Sequence, residues 1–287
     1  MSRRLLIVLG PTAVGKTDYS MELARQYGSP IISCDSRQIY KEMSVGTAVP
    51  SPEQLAAVRH YFIQTRSVTE VFTAGKYELE ALALIRRLFD AGHETLVMTG
   101  GSMFYIDAVC SGVPDVPEAD PALRAALTAR LAEEGPEALA RELIDLDPVA
   151  YASIDRTNGM RVLRALEVTL TSGRPFSSFR QATPKARDFE IVKIGLARPR
   201  EALYRRIDER VLRMMEHGLL DEVRGLVPFK GLTALQTVGY RELFSYLEGC
   251  VSLDEAVALI QQNTRHYAKR QLTWWKRDGS IRWLNLE

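Results

Sequence analysis

The feature that most restricts this chain is the octapeptide Gly10, Pro11, Thr12, Ala13, Val14, Gly15, Lys16, Thr17, which matches GxxxxGKT. It stands between an aliphatic run at residues 5–9 and a stretch of helical character at 16–27. In that setting the glycines let backbone N–H groups turn inward around a phosphate, and the helix N-terminus adds positive potential. Lys16 supplies a mobile cation, and the Thr17 hydroxyl suits a magnesium ion. The ligand this loop detects is a diphosphate, not ATP in particular. A strand that feeds such a loop and helix belongs to a parallel sheet, because the helix must carry the chain back over the sheet before the next strand.

The rest of the chain agrees with that sheet. Residues 30–34 and 95–98 repeat the form of 5–9, as strands buried on both faces do. A helical pattern at 74–91, with Leu79, Leu82, Ala83, Leu84, Leu88 and Phe89 on one apolar face, precedes the third run. Past Gly112 the texture changes: Pro114, Pro117 and Pro121 crowd together, and an alanine-rich, charged stretch follows with no strand-like run. The loop 173–187 then returns the chain to a fourth apolar strand at 189–197. Helical patterns fill the remainder, one of them opened by Ser252 and Glu255 at capping-box spacing, and 281–284 suits a short last strand. The expected fold class is α/β: a phosphate-loop parallel sheet core with helices on both faces (1–112 and 189–287) plus an inserted all-helical subdomain (113–188). A length of 287 residues fits about two domains.

Composition excludes several classes. With 46% hydrophobic and 25% charged residues the chain is not disordered, and a net charge of +1 makes any basic surface a local patch. Cys34, Cys110 and Cys250 are odd in number and never form a CxxC pair, which argues against disulfides and structural zinc. His60, His93, His217 and His266 lack metal-ligand spacing. No apolar stretch spans a membrane and 5–9 is too short for a signal segment, so a cytoplasmic protein is expected.

Four further features bear on chemistry. The run 95–98 leads into Thr99-Gly100-Gly101-Ser102 without the acidic metal ligand that a nucleotide hydrolase carries after such a strand. Asp35 does stand at a strand end, in Asp35-Ser36-Arg37-Gln38, at the sheet edge where ligands bind; on local sequence alone, Asp35 or Ser36 serves equally as a helix cap. Arg161 and Arg164 share one helical face, while Leu163, Leu166 and Val168 can pack inward. Finally, 265–282 holds six Lys or Arg against the single Asp278, interleaved with His266, Tyr267, Trp274 and Trp275. Such a mixture suits phosphate contacts and base stacking, or equally an amphipathic helix with its rings in the core.

The segments GPTAVGKT, DSRQIY (35–40), VGTAVP (45–50), GGSMFY (100–105), RVLRALEV (161–168), VGYRE (238–242) and AKRQLTWW (268–275) together resemble the tRNA dimethylallyltransferases, in order and spacing over nearly the whole chain. The resemblance implies transfer of a dimethylallyl group from its diphosphate to the exocyclic amine of the adenosine 3′ of the anticodon. Residues Gly10 to Thr17 would hold the diphosphate, with Mg2+ on Thr17. Asp35 would take the proton from the attacking amine, Ser102 stands where the family has threonine, and Arg224 matches a cationic position near the diphosphate. On the tRNA side the resemblance implies Asp35, Ser36, Arg37 and Gln38 at the target base, and Gly101 and Leu123 at the channel that admits it. Met160, Arg161, Val162, Leu163 and Arg164, with Lys269 and Arg270 of the basic helix, would contact the tRNA; Met160 replaces the family's frequent glutamine. A bacterial-type monomer is expected. The competing readings are an adenylate isopentenyltransferase acting on free nucleotide, an ATP-dependent small-molecule kinase, and an RNA-binding module with a vestigial phosphate loop.

Overall fold

A computed structural model describes residues 3–116, 120–179 and 185–287. Pro117 of the proline cluster and 180–184 of the return loop lie outside the described residues. The chain forms two compact units, 1–111 with 186–287 and 112–185. The core unit begins with β1 (Arg4–Leu9), α1 (Lys16–Tyr27), β2 (Ile31–Ser33), α2 (Pro52–Ala57), β3 (His60–Tyr61), α3 (Ala74–Asp90), β4 (Thr95–Thr99) and α4 (Met103–Ser111). The inserted unit holds α5 (Pro121–Glu134), α6 (Pro136–Arg141), α7 (Leu143–Leu146), α8 (Pro148–Ser153), α9 (Gly159–Ser172) and α10 (Phe176–Phe179). The core unit resumes with β5 (Glu190–Ala197), α11 (Arg200–Glu216), α12 (Leu219–Gly225), α13 (Tyr240–Leu247), α14 (Leu253–Trp275) and β6 (Arg282–Asn285).

The six strands form one sheet in the order β3-β2-β4-β1-β5-β6, parallel at every pairing. β1 lies inside it, with Val8 opposite Thr99 of β4 on one side and Ile194 of β5 on the other. The side-chain alternation of a strand decides which layer each residue joins. Leu5, Ile7 and Leu9 pack with Tyr77, Ala81, Ile85 and Leu88 of α3 and with α4, whereas Leu6 and Val8 pack with Met21 and Ala24 of α1 and Leu203 and Ile207 of α11. Helices therefore cover both faces. β3 escapes a periodicity reading because two residues carry no period. Leu79 and Ala83 are expected on the apolar face of α3 but are exposed, Leu79 by 73%, and Tyr77, Glu78, Ala81 and Ile85 complete the buried face instead.

Successive strands lie on opposite sides of β1, so the strand order reverses at its C-terminal end, which is where an open parallel sheet forms a ligand crevice. A third apolar cluster joins Ile39, Tyr40 and Met43 to α11, α12, α13 and α14. The Ser252 and Glu255 capping box opens α14, with mutual bonds of 3.2 and 2.8 Å. Where the chain re-enters the core unit, the Arg187 side chain, 8% exposed, donates to the Ala108 and Val109 carbonyls of α4 and pairs with Glu78 at 2.9 Å. The inserted unit has its own core, built from Leu127, Leu139, Leu143, Val162, Leu163, Ala165 and Leu166.

Candidate active site

The loop after β1 is shaped by close approach. Gly10 adopts φ +148°, and a Cβ there would lie 2.6 Å from the Leu196 carbonyl oxygen of β5. The Lys16 ammonium donates to the Gly10 and Pro11 carbonyls, 2.9 Å each. From β5 and α11, Arg198 donates to the Val14 carbonyl and Arg206 to the Ala13 carbonyl, both at 2.9 Å, while Arg210 reaches the Thr12 hydroxyl at 3.4 Å. Among the described residues no carboxylate forms an ion pair with any of these cations. Burial, reinforced by repulsion from Arg210 and opposed by Asp35 and Cys34, pushes the Lys16 ammonium down to about 8. Arg210 is lowered as well, chiefly by burial, yet a guanidinium stays charged at any physiological pH.

The loops after β2 and β4 meet this one. Asp35 Oδ1 accepts from the backbone N–H groups of Arg37 at 2.8 Å and Gln38 at 3.3 Å, so the carboxylate does serve as a local cap, of a turn and not of a helix. Ser102 Oγ accepts from the Ser36 N–H at 2.7 Å and donates to the Ser36 hydroxyl at 2.9 Å, tying the β4 loop to the β2 loop. Gln271, 1% exposed in α14, completes the frame. It accepts from the Thr12 N–H at 2.9 Å and donates to the Gly101 carbonyl at 2.8 Å. A Cβ on Gly101 would lie 2.6 Å from the Gln271 amide, so this close approach requires glycine.

Two adjoining cavities result. One of about 550 Å³ is lined by Lys16, Thr17, Ser33, Gln38, Arg206 and Arg213 among others; the second, of about 330 Å³, is lined by Ser36, Arg37, Ser102, Arg241 and Arg270 and by the apolar Ile207, Val211 and Met214. Asp35, Thr12, Thr47, Arg210 and Tyr267 line both. The cleft is thus cationic at the phosphate loop and partly apolar beyond Asp35, which suits a molecule with an anionic end and a hydrocarbon end.

The structure brings together Gly10 to Thr17, Asp35 to Gln38, Gly101, Ser102 and Arg270, while Lys269 is exposed on the same helix as Arg270. It does not bring Arg224 to this cleft: Arg224 pairs with Asp221 at 2.7 Å on the exposed side of α12, and Arg206, Arg210 and Arg213 supply the cations instead. Their spacing of four and three is a one-face helical stripe, a signal present in the sequence. In the inserted unit, Met160 and Arg161 are exposed, Arg164 binds Glu167 at 2.7 Å, and Leu123 packs against the core. Val162 and Leu163 are 0% and 1% exposed, so their side chains belong to that core and not to a contact surface. Trp275, at 2%, is likewise core.

Among the described residues no cluster of His, Cys, Asp or Glu could hold a metal ion. The three cysteines are free, and burial pushes Cys34 and Cys110 up, which leaves them poor nucleophiles. No described helix is long and apolar enough to cross a membrane.

A parallel sheet with a cationic loop at its switch point and a carboxylate across the cleft defines an α/β protein whose cleft suits a phosphorylated substrate. Residues 38–278 match the IPP transferase family. The chain belongs to this family. It is 51% identical over 283 residues to tRNA dimethylallyltransferase 2 of Porphyromonas gingivalis, covering 99% of this chain and 94% of that protein. The full-length tRNA isopentenylpyrophosphate transferase of Bacillus halodurans is 35% identical, with a TM-score of 0.71 over 99% of this chain and 90% of its own. A eukaryotic dimethylallyltransferase solved acting on tRNA shares the fold at TM-score 0.83, covering 99% of this chain and 74% of that one, at 24% identity.

Proposed function

We propose that this protein transfers a dimethylallyl group from dimethylallyl diphosphate to the exocyclic amine of the adenosine 3′ of the anticodon in tRNA, releasing diphosphate. The observation that carries this reading is the cleft itself, with Lys16 in one cavity, Asp35 and Arg210 where the two cavities adjoin, and Ile207, Val211 and Met214 among the lining of the other. The amine nitrogen bonds to the allylic carbon as that carbon's bond to the diphosphate oxygen breaks; the electron pair leaves with the diphosphate, and one amine proton passes to Asp35. Adenine's amine is a weak nucleophile, so a positioned base at this point accelerates attack. The Arg37 and Gln38 N–H groups fix one carboxylate oxygen of Asp35, which orients the other. Lys16, Arg206 and Arg210 neutralise charge on the leaving group.

The donor set also suits Mg2+. Thr17 offers a hydroxyl at the cavity that Asp35 also lines, which suits an ion held by few protein groups together with substrate oxygens and water. When bound, the ion would supply further neutralisation of diphosphate charge. The end of β4 carries no acidic metal ligand of the kind a nucleotide hydrolase uses there.

Diphosphate release from dimethylallyl diphosphate tests the proposal, with undermodified tRNA or adenosine monophosphate as acceptor, and with and without ATP. Release that depends on tRNA and needs no ATP is the expected result. Equal release with the free nucleotide, or an absolute need for ATP, would contradict it.

A further inference from the structure

The rim of the cleft carries an aromatic that the catalytic reading leaves unused. Phe104 is the second residue of α4, two residues after Ser102, and remains 62% exposed. Its ring is nonetheless fixed: it meets Trp274 edge to face at 5.0 Å, and the Trp274 indole N–H donates to Asp107 Oδ2 at 2.9 Å. The Arg277 guanidinium lies 4.3 Å from the Trp274 ring centre. Along α14 the residues Tyr267, Arg270, Trp274 and Arg277 recur at three, four and three, so they form one stripe. Its first two members line the smaller cavity beside Asp35, and Trp274 follows Arg270 by about one turn, roughly 6 Å.

The charges along this stripe are open. Among the described residues no ion pair forms to Lys269, Arg270, Lys276 or Arg277, and all four are exposed. The paired cations nearby, Arg265 with Asp208 and Lys193 with Asp278, show that carboxylates are used elsewhere on these elements. An immobilised, exposed ring among unneutralised cations is the arrangement that binds unpaired nucleotides, the ring taking a base face and the cations the backbone.

We propose that Phe104, braced by Trp274 and Arg277, is a stacking platform for a nucleobase adjacent to the adenosine extruded into the cleft. This rests on the tRNA reading above and names where the flanking loop is held once the target base has left its stack. Extrusion unstacks the neighbours as well as the target, and a ring at the rim replaces part of that lost stacking.

The test uses the full chain and an anticodon stem-loop RNA carrying 2-aminopurine at the nucleotide on either side of the target adenosine. Binding should quench one of the two probes. Phe104→Ala should abolish that quenching and weaken RNA binding by about 5- to 100-fold, whereas Phe104→Tyr should retain both. Stacking releases no counterions, so the salt dependence of Phe104→Ala binding should keep the wild-type slope, while Lys269→Ala with Arg270→Ala should flatten it. Affinity for dimethylallyl diphosphate should not change in Phe104→Ala. If wild-type protein binds no RNA, the functional reading fails and the platform with it. If wild-type protein binds and neither probe is quenched, or Phe104→Ala binds as tightly as wild type, the platform alone is wrong.

Discussion

The cleft of the core unit and the interior of the inserted unit anchor their cations in opposite ways. At the cleft of the core unit, Lys16, Arg198 and Arg206 are held by backbone carbonyls of the phosphate loop, so their full charge is left to act on an anion. In the inserted unit, Arg124 and Arg164 converge on the buried carboxylate of Glu167 at 3.0 and 2.7 Å, and Arg130 pairs with Glu134 and Glu142. A carbonyl-held cation keeps its monopole, whereas a carboxylate-held one is placed in geometry and largely neutralised in charge. The first arrangement suits binding a small, highly charged leaving group. The second suits fixing the helices of the inserted unit against one another.

The largest effect expected from this contrast lies at Asp35, the carboxylate inside the cationic cleft. Asp35→Asn should lower kcat by about 10² to 10⁴ while donor affinity stays near that of the wild type. Wild-type turnover would reduce Asp35 to the turn cap that its bonds to Arg37 and Gln38 also make it.

Next come the cations themselves. Lys16→Ala or Arg210→Ala should each weaken dimethylallyl diphosphate binding by about 10- to 100-fold, the usual worth of a charged hydrogen bond, measured by equilibrium titration. Arg224→Ala, by contrast, should leave donor binding as it is, because Arg224 lies outside the cleft. Equal losses at Arg224 and Arg210 would break the distinction drawn here.

A pH titration sharpens it further. The free Lys16 ammonium sits at about 8, and a bound diphosphate would raise it. The protonated form binds the anion, and the donor's own last ionisation lies at about pH 6, so donor affinity should be flat between about pH 7 and 8 and fall above it, approaching about tenfold per pH unit until the bound-state value is passed. Lys16→Ala should lose that dependence. A wild-type profile that stays flat to pH 9.5 would contradict the depressed ammonium.

The smallest effect is expected in the inserted unit. Glu167→Ala should cost that unit about 0.5–1.5 kcal/mol of stability by thermal or urea denaturation, because Arg124 and Arg164 are 46% and 41% exposed and water can replace the pair. Donor affinity should be unchanged. A donor defect as large as that of Lys16→Ala would show that the inserted unit supplies charge to the diphosphate after all.

What the chain reveals before folding follows the same division. The phosphate loop, Asp35 and the Gly100-Gly101-Ser102 turn each lie within a few residues of a strand end, so local pattern suffices to find them. Gln271 and Arg210 were not legible in this way. Each reaches the loop from about 200 residues or more away in the chain, and only the packing of α11 and α14 onto the sheet brings them there. Gln271 leaves one trace, as a polar residue on the buried face shared with Ala268 and Trp275. Arg224 illustrates the converse: its residue type and neighbourhood suit a phosphate ligand, yet its helix turns it toward Asp221. Val162 and Leu163 sit in a contact motif whose periodicity buries exactly those positions between the exposed Met160 and Arg161 and the half-exposed Arg164.

The most direct test of the account is mass analysis of the tRNA itself. Purified protein, dimethylallyl diphosphate and undermodified tRNA should yield one nuclease fragment heavier by a single dimethylallyl group, with the added mass on the adenosine 3′ of the anticodon, and Asp35→Asn should leave that fragment unmodified over the same interval. Unchanged tRNA after incubation with active, donor-binding protein, or a dimethylallyl group found on another nucleotide, would contradict it.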